Sequence, residues 1–265
     1  MARNTRVFAA IAALSLVVAA CGGSSDSSDT TTAGGGALEL VKDGALTVCS
    51  DAPYEPFEFQ APDGTWTGFD MDIMRKIAES NGLELEVSVQ PFDGIWLAPA
   101  AGKCDVVASS MTITEERTQA ADFTDSYFNA FQSLLVRKAD AEIYTTLESL
   151  KGKTIAVQTG TTGEAYAKAN ATDSKIQSFD EASAMFLALE SNQVDAVLQD
   201  FLINKERADK QGTSAVSAKF EESPEEYGFA VEKGNTTLLQ ILNKGIKDLR
   251  DSGDYDTIYN KYFIG

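Results

Sequence analysis

The sequence predicts two α/β lobes built on parallel sheet, and three observations carry that expectation. Short apolar runs of strand length alternate with amphipathic segments of helical period. The alternation occurs in two series, the second beginning after Lys151-Gly152. The chain has 265 residues, 43% of them apolar and 23% charged, enough for two modest cores.

In the first series, residues 46–48 read as a strand, followed by a Pro-rich loop. A helix is predicted over 70–80, with Ile73, Met74 and Ile77 at helical spacing and Asn81-Gly82 as its stop. Leu83, Leu85, Val87 and Val89 alternate with Glu84, Glu86 and Ser88, a strand with one solvated face. Pro99 should kink or shorten a helix over 95–101, and 106–108 form a third strand. The second series runs strand 154–157, turn 159–163, helix 164–169 and strand 175–179. A helix over 180–191 follows, capped by Asp180 and turning Met185, Phe186 and Leu189 inward, then a strand over 194–198. A last amphipathic helix, 237–250, stops at Ser252-Gly253.

Composition excludes several functions. There is no histidine, which removes Ser-His-Asp and Cys-His nucleophiles, histidine metal sites and an imidazole pH switch. A formal charge of −18, with no basic cluster, offers no footprint for nucleic acid.

Residues 1–20 read as a secretory signal: Arg3 and Arg6, then an apolar run over 7–20 broken only by Ser15, too short for a membrane-spanning helix of about 20 residues. Cys21, directly after Val18-Ala19-Ala20, resembles the lipobox cysteine of bacterial lipoproteins. Residues 22–36 contain no large apolar side chain, so 21–37 are expected to be a lipidated Cys and a flexible tether. The only membrane contact expected is that lipid anchor, on the outer face of the bacterial cytoplasmic membrane. Cys49 and Cys104 remain. If they lie on parallel neighbouring strands offset by three or four residues, they stand roughly 10 Å apart, beyond the ~7 Å a disulfide spans, so two free thiols are expected.

The run Ser50-Asp51-Ala52-Pro53-Tyr54-Glu55-Pro56-Phe57-Glu58-Phe59, followed by Gly68-Phe69-Asp70-Met71-Asp72-Ile73, resembles the opening of the polar amino acid-binding proteins of bacterial ABC importers, solute-binding protein family 3. The resemblance continues through Gly102-Lys103-Cys104-Asp105, the stretch from Ser110 to Arg117, Gln158-Thr159-Gly160-Thr161-Thr162 and the run Asp195 to Asp200, and so covers nearly all of 46–263. It implies a two-lobed periplasmic-binding-protein fold of type II, a Venus flytrap with two hinge strands near 127–134 and 224–229. Lobe one would be 38–130 plus 228–265, and lobe two 131–227.

The resemblance also implies a site. Arg117 would clamp a ligand α-carboxylate, its guanidinium offering two parallel donors and Thr114 capping its helix; without the resemblance it would read as a surface Arg. Asp200 would hold the α-ammonium, although it serves equally well as N-cap of a helix over 201–207. Thr112 and Thr162 would assist with the carboxylate and Ser110 with the ammonium, and Thr161 belongs to the same ligand-binding set. Tyr54 and Phe92 would sandwich the ligand side chain, with core packing a competing role for Phe92. Asp51, Ser109 and Gln158 complete the set. One cation against two acids, Asp51 and Asp200, leaves Asp51 for the side chain, so a cationic amino acid is expected and glutamine is second. The motifs are closest to those of lysine/arginine/ornithine binders, and glutamine binders tend to carry Gly at 110 and Lys at 158. A monomer delivering ligand to importer permease subunits, with no cofactor and no catalysis, completes the expectation. An enzyme like the cyclohexadienyl dehydratases would want more than one cation in its cleft. A receptor ectodomain would need a transmembrane exit that the chain lacks.

Overall fold

A computed structural model of the chain describes residues 38–264; the signal, Cys21 and tether assignments lie outside the described residues. The first half runs β1 (Ala45–Ser50), the short hairpin β2 (Phe59–Gln60) and β3 (Trp66–Thr67), α1 (Phe69–Ser80), β4 (Glu84–Val89), β5 (Val106–Val107), α2 (Glu115–Ala120) and β6 (Ala121–Phe123). The second contains β7 (Phe128–Arg137), β8 (Thr154–Gln158), α3 (Thr162–Asn170), β9 (Lys175–Phe179), α4 (Ala182–Glu190), β10 (Ala196–Asp200), α5 (Phe201–Gln211) and β11 (Ser214–Tyr227). The chain then closes with β12 (Ala230–Glu232), α6 (Thr236–Ser252) and α7 (Asp254–Phe263).

The strands form two five-stranded sheets, β4-β1-β5-β12-β6 and β11-β7-β10-β8-β9. The expected parallel pairing holds for part of each sheet. β4, β1 and β5 are parallel, as are β10, β8 and β9, but β12 runs antiparallel to β5 and β6, and β7 antiparallel to β10 and β11. The reversal follows from connectivity: the chain leaves the first sheet after β6 and returns to it at β12, and the long strands β7 and β11 that make the passage pair with each other.

The helices form where apolar periodicity places them. Ile73, Met74 and Ile77 of α1 are buried, and α6 carries Leu238, Leu242, Ile246 and Leu249 inward at the same spacing, ending on Gly253 in the left-handed region. The cap of α4 is a correction: Glu181, not Asp180, is the N-cap, and it makes no side-chain capping bond. Residues 95–97 form a single 3₁₀ turn before Pro99, the shortening expected of that proline. The helix α7 brings Tyr255, Tyr259 and Phe263 into an aromatic cluster with Phe57, Phe69, Phe128 and Tyr227 at the roots of β7 and β11; ring centroids of Phe263 lie 5.3 Å from Phe57 and from Phe128.

The two thiols are not free. Cys49 and Cys104 form a disulfide, with Cα atoms 5.7 Å apart, inside the bridging range. The expected offset fails because residue 104 is not part of an extended strand. Lys103 N donates to Ala98 O and Asp105 N to Thr47 O, so the chain folds through a turn and delivers Cys104 directly beside β1. Asp105 fixes that turn by accepting from Val41 N and Thr47 N, each at 2.7 Å.

Candidate functional site

Four parallel strands, two from each sheet, end at one cleft. β1 leads into Asp51, β5 into Ser109 and Ser110, β8 ends on Gln158 and β10 on Asp200. The carboxyl ends of parallel strands are where open α/β sheets place ligand sites, because the following loops are free of the crossover helices. A narrow cavity of about 20 Å³ lies between the lobes.

Its floor in the first lobe is a cluster of serines and buried acids. Ser109 Oγ accepts from Asp51 N at 2.9 Å, and Ser110 Oγ donates to Glu58 Oε2 at 3.1 Å. Ser110 N donates to Asp70 Oδ2 at 2.9 Å, and Tyr127 Oη donates to the same oxygen at 2.7 Å. These bonds hold Ser110 at φ +47°, a left-handed conformation unusual for a residue with a Cβ. Burial, followed by the charge of Asp70, pushes Glu58 well above the usual carboxylate range, and burial raises Asp70 to about 7 against the pull of its bonds to Ser110 and Tyr127.

Arg117 is the cation of the cleft. Thr114 caps α2 by accepting from Arg117 N, and the side chain is 4% exposed, far from a surface Arg. Its guanidinium lies over the rings of Phe92 and Trp96, 5.3 and 5.1 Å from their centroids. Nη1 donates to Thr112 O at 2.7 Å, while Nη2 donates across the cleft to Gly160 O at 3.0 Å. Burial lowers its pKa, and the charges of Glu225 and Asp200 oppose that shift. Phe92 packs in the core around the disulfide and also lines the cavity beneath Arg117.

The opposite end is acidic. Asp200 is the N-cap residue of α5 but makes no capping bond; its carboxylate turns into the cavity. There Oδ2 accepts from Tyr54 Oη at 2.9 Å and Tyr227 Oη at 2.7 Å, and Oδ1 from Gln132 Nε2 at 2.6 Å. Burial, then the nearby Glu225 charge, raises Asp200 to about 7 despite these three donors. Asp51, raised by burial to about 6, accepts from Gln158 Nε2 at 2.5 Å. Thr161 caps α3, and Thr162, its first residue, faces Thr112 across the cleft with hydroxyl oxygens 3.4 Å apart.

The structure therefore brings all eleven residues singled out from the sequence to one cavity. It adds Glu58, Gln132, Gly163 and Gln199 to the lining, and Glu225 and Tyr227 to its hydrogen bonds. Glu58 and Gln199 sit inside the motifs already quoted, so a signal existed. Gln132 and Glu225 come from β7 and β11, and only the pairing of those strands aims them at the cleft.

Two α/β lobes with a polar cleft between them, linked by two strands, define a type II periplasmic-binding protein. The chain belongs to the bacterial extracellular solute-binding proteins, family 3, which it matches over residues 46–265. It is 33% identical over 222 residues to a probable histidine-binding protein of Neisseria gonorrhoeae, covering 82% of each chain. An L-arginine-binding protein of Pseudomonas aeruginosa is 33% identical over 232 residues, covering 83% of this chain and 88% of that one. Among solved structures, an ancestral arginine-binding protein superposes with a TM-score of 0.79 at 39% identity, both bound to arginine, covering 83% of this chain and 98% of the other, and bound to glutamine, covering 84% and 99%. Among the described residues no helix is long and apolar enough to cross a membrane.

Proposed function

We propose that this protein is a lipid-anchored, extracytoplasmic binding protein that captures a cationic amino acid between its lobes and presents it to an ABC importer. One observation carries the choice of ligand: Arg117 is the cation lining the cavity, against the acids Asp51 and Asp200, with Glu225 bonded at its edge and Glu58 pushed by burial toward its neutral form. An amino acid's own carboxylate and ammonium match Arg117 and Asp200, which leaves Asp51 facing the side chain. Buried carboxylates favour a ligand that brings positive charge, and Tyr54, which lines the same cavity and donates to Asp200, can add a ring face. Gln132 Oε1, buried without a partner, offers a further acceptor to the ammonium. The arginine-binding relatives agree with this reading. Glutamine is the second reading, because Gln158 already shows that Asp51 accepts from a primary amide and the ancestral relative is solved with glutamine. The same excess of acids argues against a dehydratase acting on a dicarboxylate.

In this reading the ligand touches half-sites on both lobes and so stabilises the closed form by differential contacts. We divide the lobes as 38–130 with 228–265 and 131–227, with a monomer as the working unit. Calorimetry against the twenty amino acids and ornithine tests the proposal; arginine, lysine or ornithine should bind tightest. Tighter binding of glutamate than of arginine would overturn it.

A further inference from the structure

Glu225 holds the hydroxyls that the proposed reading gives to the ligand. It lies on β11, paired with Ala130 of β7, two residues before Tyr227 and therefore on the same face of the strand. Its Oε2 accepts from Thr112 Oγ1 of the first lobe at 2.5 Å and from Thr162 Oγ1 of the second at 2.8 Å. Its Oε1 accepts from Gln132 Nε2 at 3.0 Å, the same nitrogen that donates to Asp200. Thr162 also begins α3, whose first-turn amides have no partner within the helix and favour a negative charge. A carboxylate between two threonine hydroxyls, at a helix N-terminus and near a guanidinium, has the surroundings a free amino acid's carboxylate would seek.

We infer that Glu225 is an internal occupant of the carboxylate subsite, bridging the two lobes through Thr112 and Thr162 and competing with the α-carboxylate of any amino acid that enters. This rests on the amino acid reading of the cleft. The competition makes Glu225 a specificity determinant. A small carboxylate alone displaces one anion with another and gains nothing, whereas an amino acid adds an ammonium for Asp200 and Gln132 Oε1. A cationic amine with no carboxylate leaves Glu225 where it is.

Opposite responses of two ligands to Glu225→Ala test the inference. Arginine, whose carboxylate no longer competes, should bind about tenfold tighter or better. Agmatine, which is arginine without the carboxylate, should bind unchanged or more weakly. Glutamine and 4-aminobutanamide form a second such pair, so that a wrong choice of amino acid does not remove the test. Small-angle scattering supplies a measurement that needs no ligand: the variant should have a larger radius of gyration than the parent. Glu225→Gln, which keeps the shape, should lie between the two. If Glu225→Ala weakens arginine and agmatine alike, or leaves the ligand-free radius unchanged, Glu225 is not an occupant. If neither amino acid binds the parent protein, the ligand reading falls, and scattering alone decides the role of Glu225.

Discussion

Gly160 offers a way to block closure without touching the proposed ligand. Its φ of +76° is left-handed, and a Cβ there would lie 2.6 Å from Asp93 Oδ1 and 3.1 Å from Asp93 Cα, across the cleft in the first lobe. A Gly160→Ala substitution has two consequences that can be separated. The left-handed conformation costs an alanine roughly 1 to 2 kcal/mol, and does so whether the lobes are open or closed. The clash exists only when they are closed, and because one of its atoms is backbone, the lobes must stand off by several tenths of an ångström. That stretches the 3.0 Å bond from Arg117 Nη2 to Gly160 O. A hydrogen bond to a charged group is worth about 1.5 to 3 kcal/mol, so amino acid affinity should fall by roughly ten- to a hundredfold. Gly152→Ala is the control: φ is +73°, in the same lobe, and nothing lies within 4 Å of its Cβ, so it carries the backbone penalty alone. Both variants should lose similar stability on heating, but calorimetry with arginine and with glutamine should show weakened binding for Gly160→Ala only. Equal affinities in the two variants would refute the cross-cleft contact.

Arg117→Ala should abolish amino acid binding, while agmatine, with no carboxylate to clamp, should lose much less; retention of arginine binding at parental affinity would show that the clamp lies elsewhere. The Cys49–Cys104 bridge closes a sequence separation of 55 residues, for which chain entropy gives about 4 kcal/mol. Urea unfolding of the oxidised protein and of a Cys49→Ala/Cys104→Ala variant should differ by up to that amount, and coincident curves would remove the bridge. Asp70 and Asp200, raised to about 7, and Asp51, raised to about 6, are harder to ionise folded than unfolded. The stability they contribute is therefore complete below their ordinary values near 4 and is lost as pH rises through about 6 to 7. The ligand-free protein should melt higher near about pH 5 than about pH 8. Amino acid affinity should run the opposite way, falling below about pH 7 as Asp200 takes up a proton that its ammonium partner must expel. A melting temperature flat across that window would contradict the buried acids.

Local pattern explains what could be read from the residues alone. The parallel strands, α1 and α6 follow from the spacing of Ile73, Met74, Ile77 and their counterparts, and the cleft residues Asp51, Ser110, Gln158 and Asp200 lie where such strands end. For Cys104 the expectation of an extended chain fails at the turn through Lys103 and Asp105, which Gly102 opens at φ +67°; a glycine there shows that the chain turns but not how near β1 it delivers the cysteine. Glu225 was invisible for a different reason. It stands in a polar stretch, Glu221 to Glu226, and only the pairing of β11 with β7, across a register shift between Phe220 and Pro224, selects which of those acids faces the cleft.

The aromatic cluster under α7 bears on which part of the molecule moves. Tyr255 Oη donates to Tyr127 O at 2.6 Å, and rings from the C-terminal helix rest on Phe128, the first residue of one hinge strand, which stacks in turn on Tyr227, the last residue of the other. These contacts tie the first lobe, the C-terminal helix and the hinge roots together, so in the proposed closure bending would fall on the part of β7 and β11 beyond them, where the register shift interrupts the ladder opposite Gln132. Tyr227, at the border between the lobes, would then stay with the hinge roots while Asp200, to which it donates, moves with the second lobe.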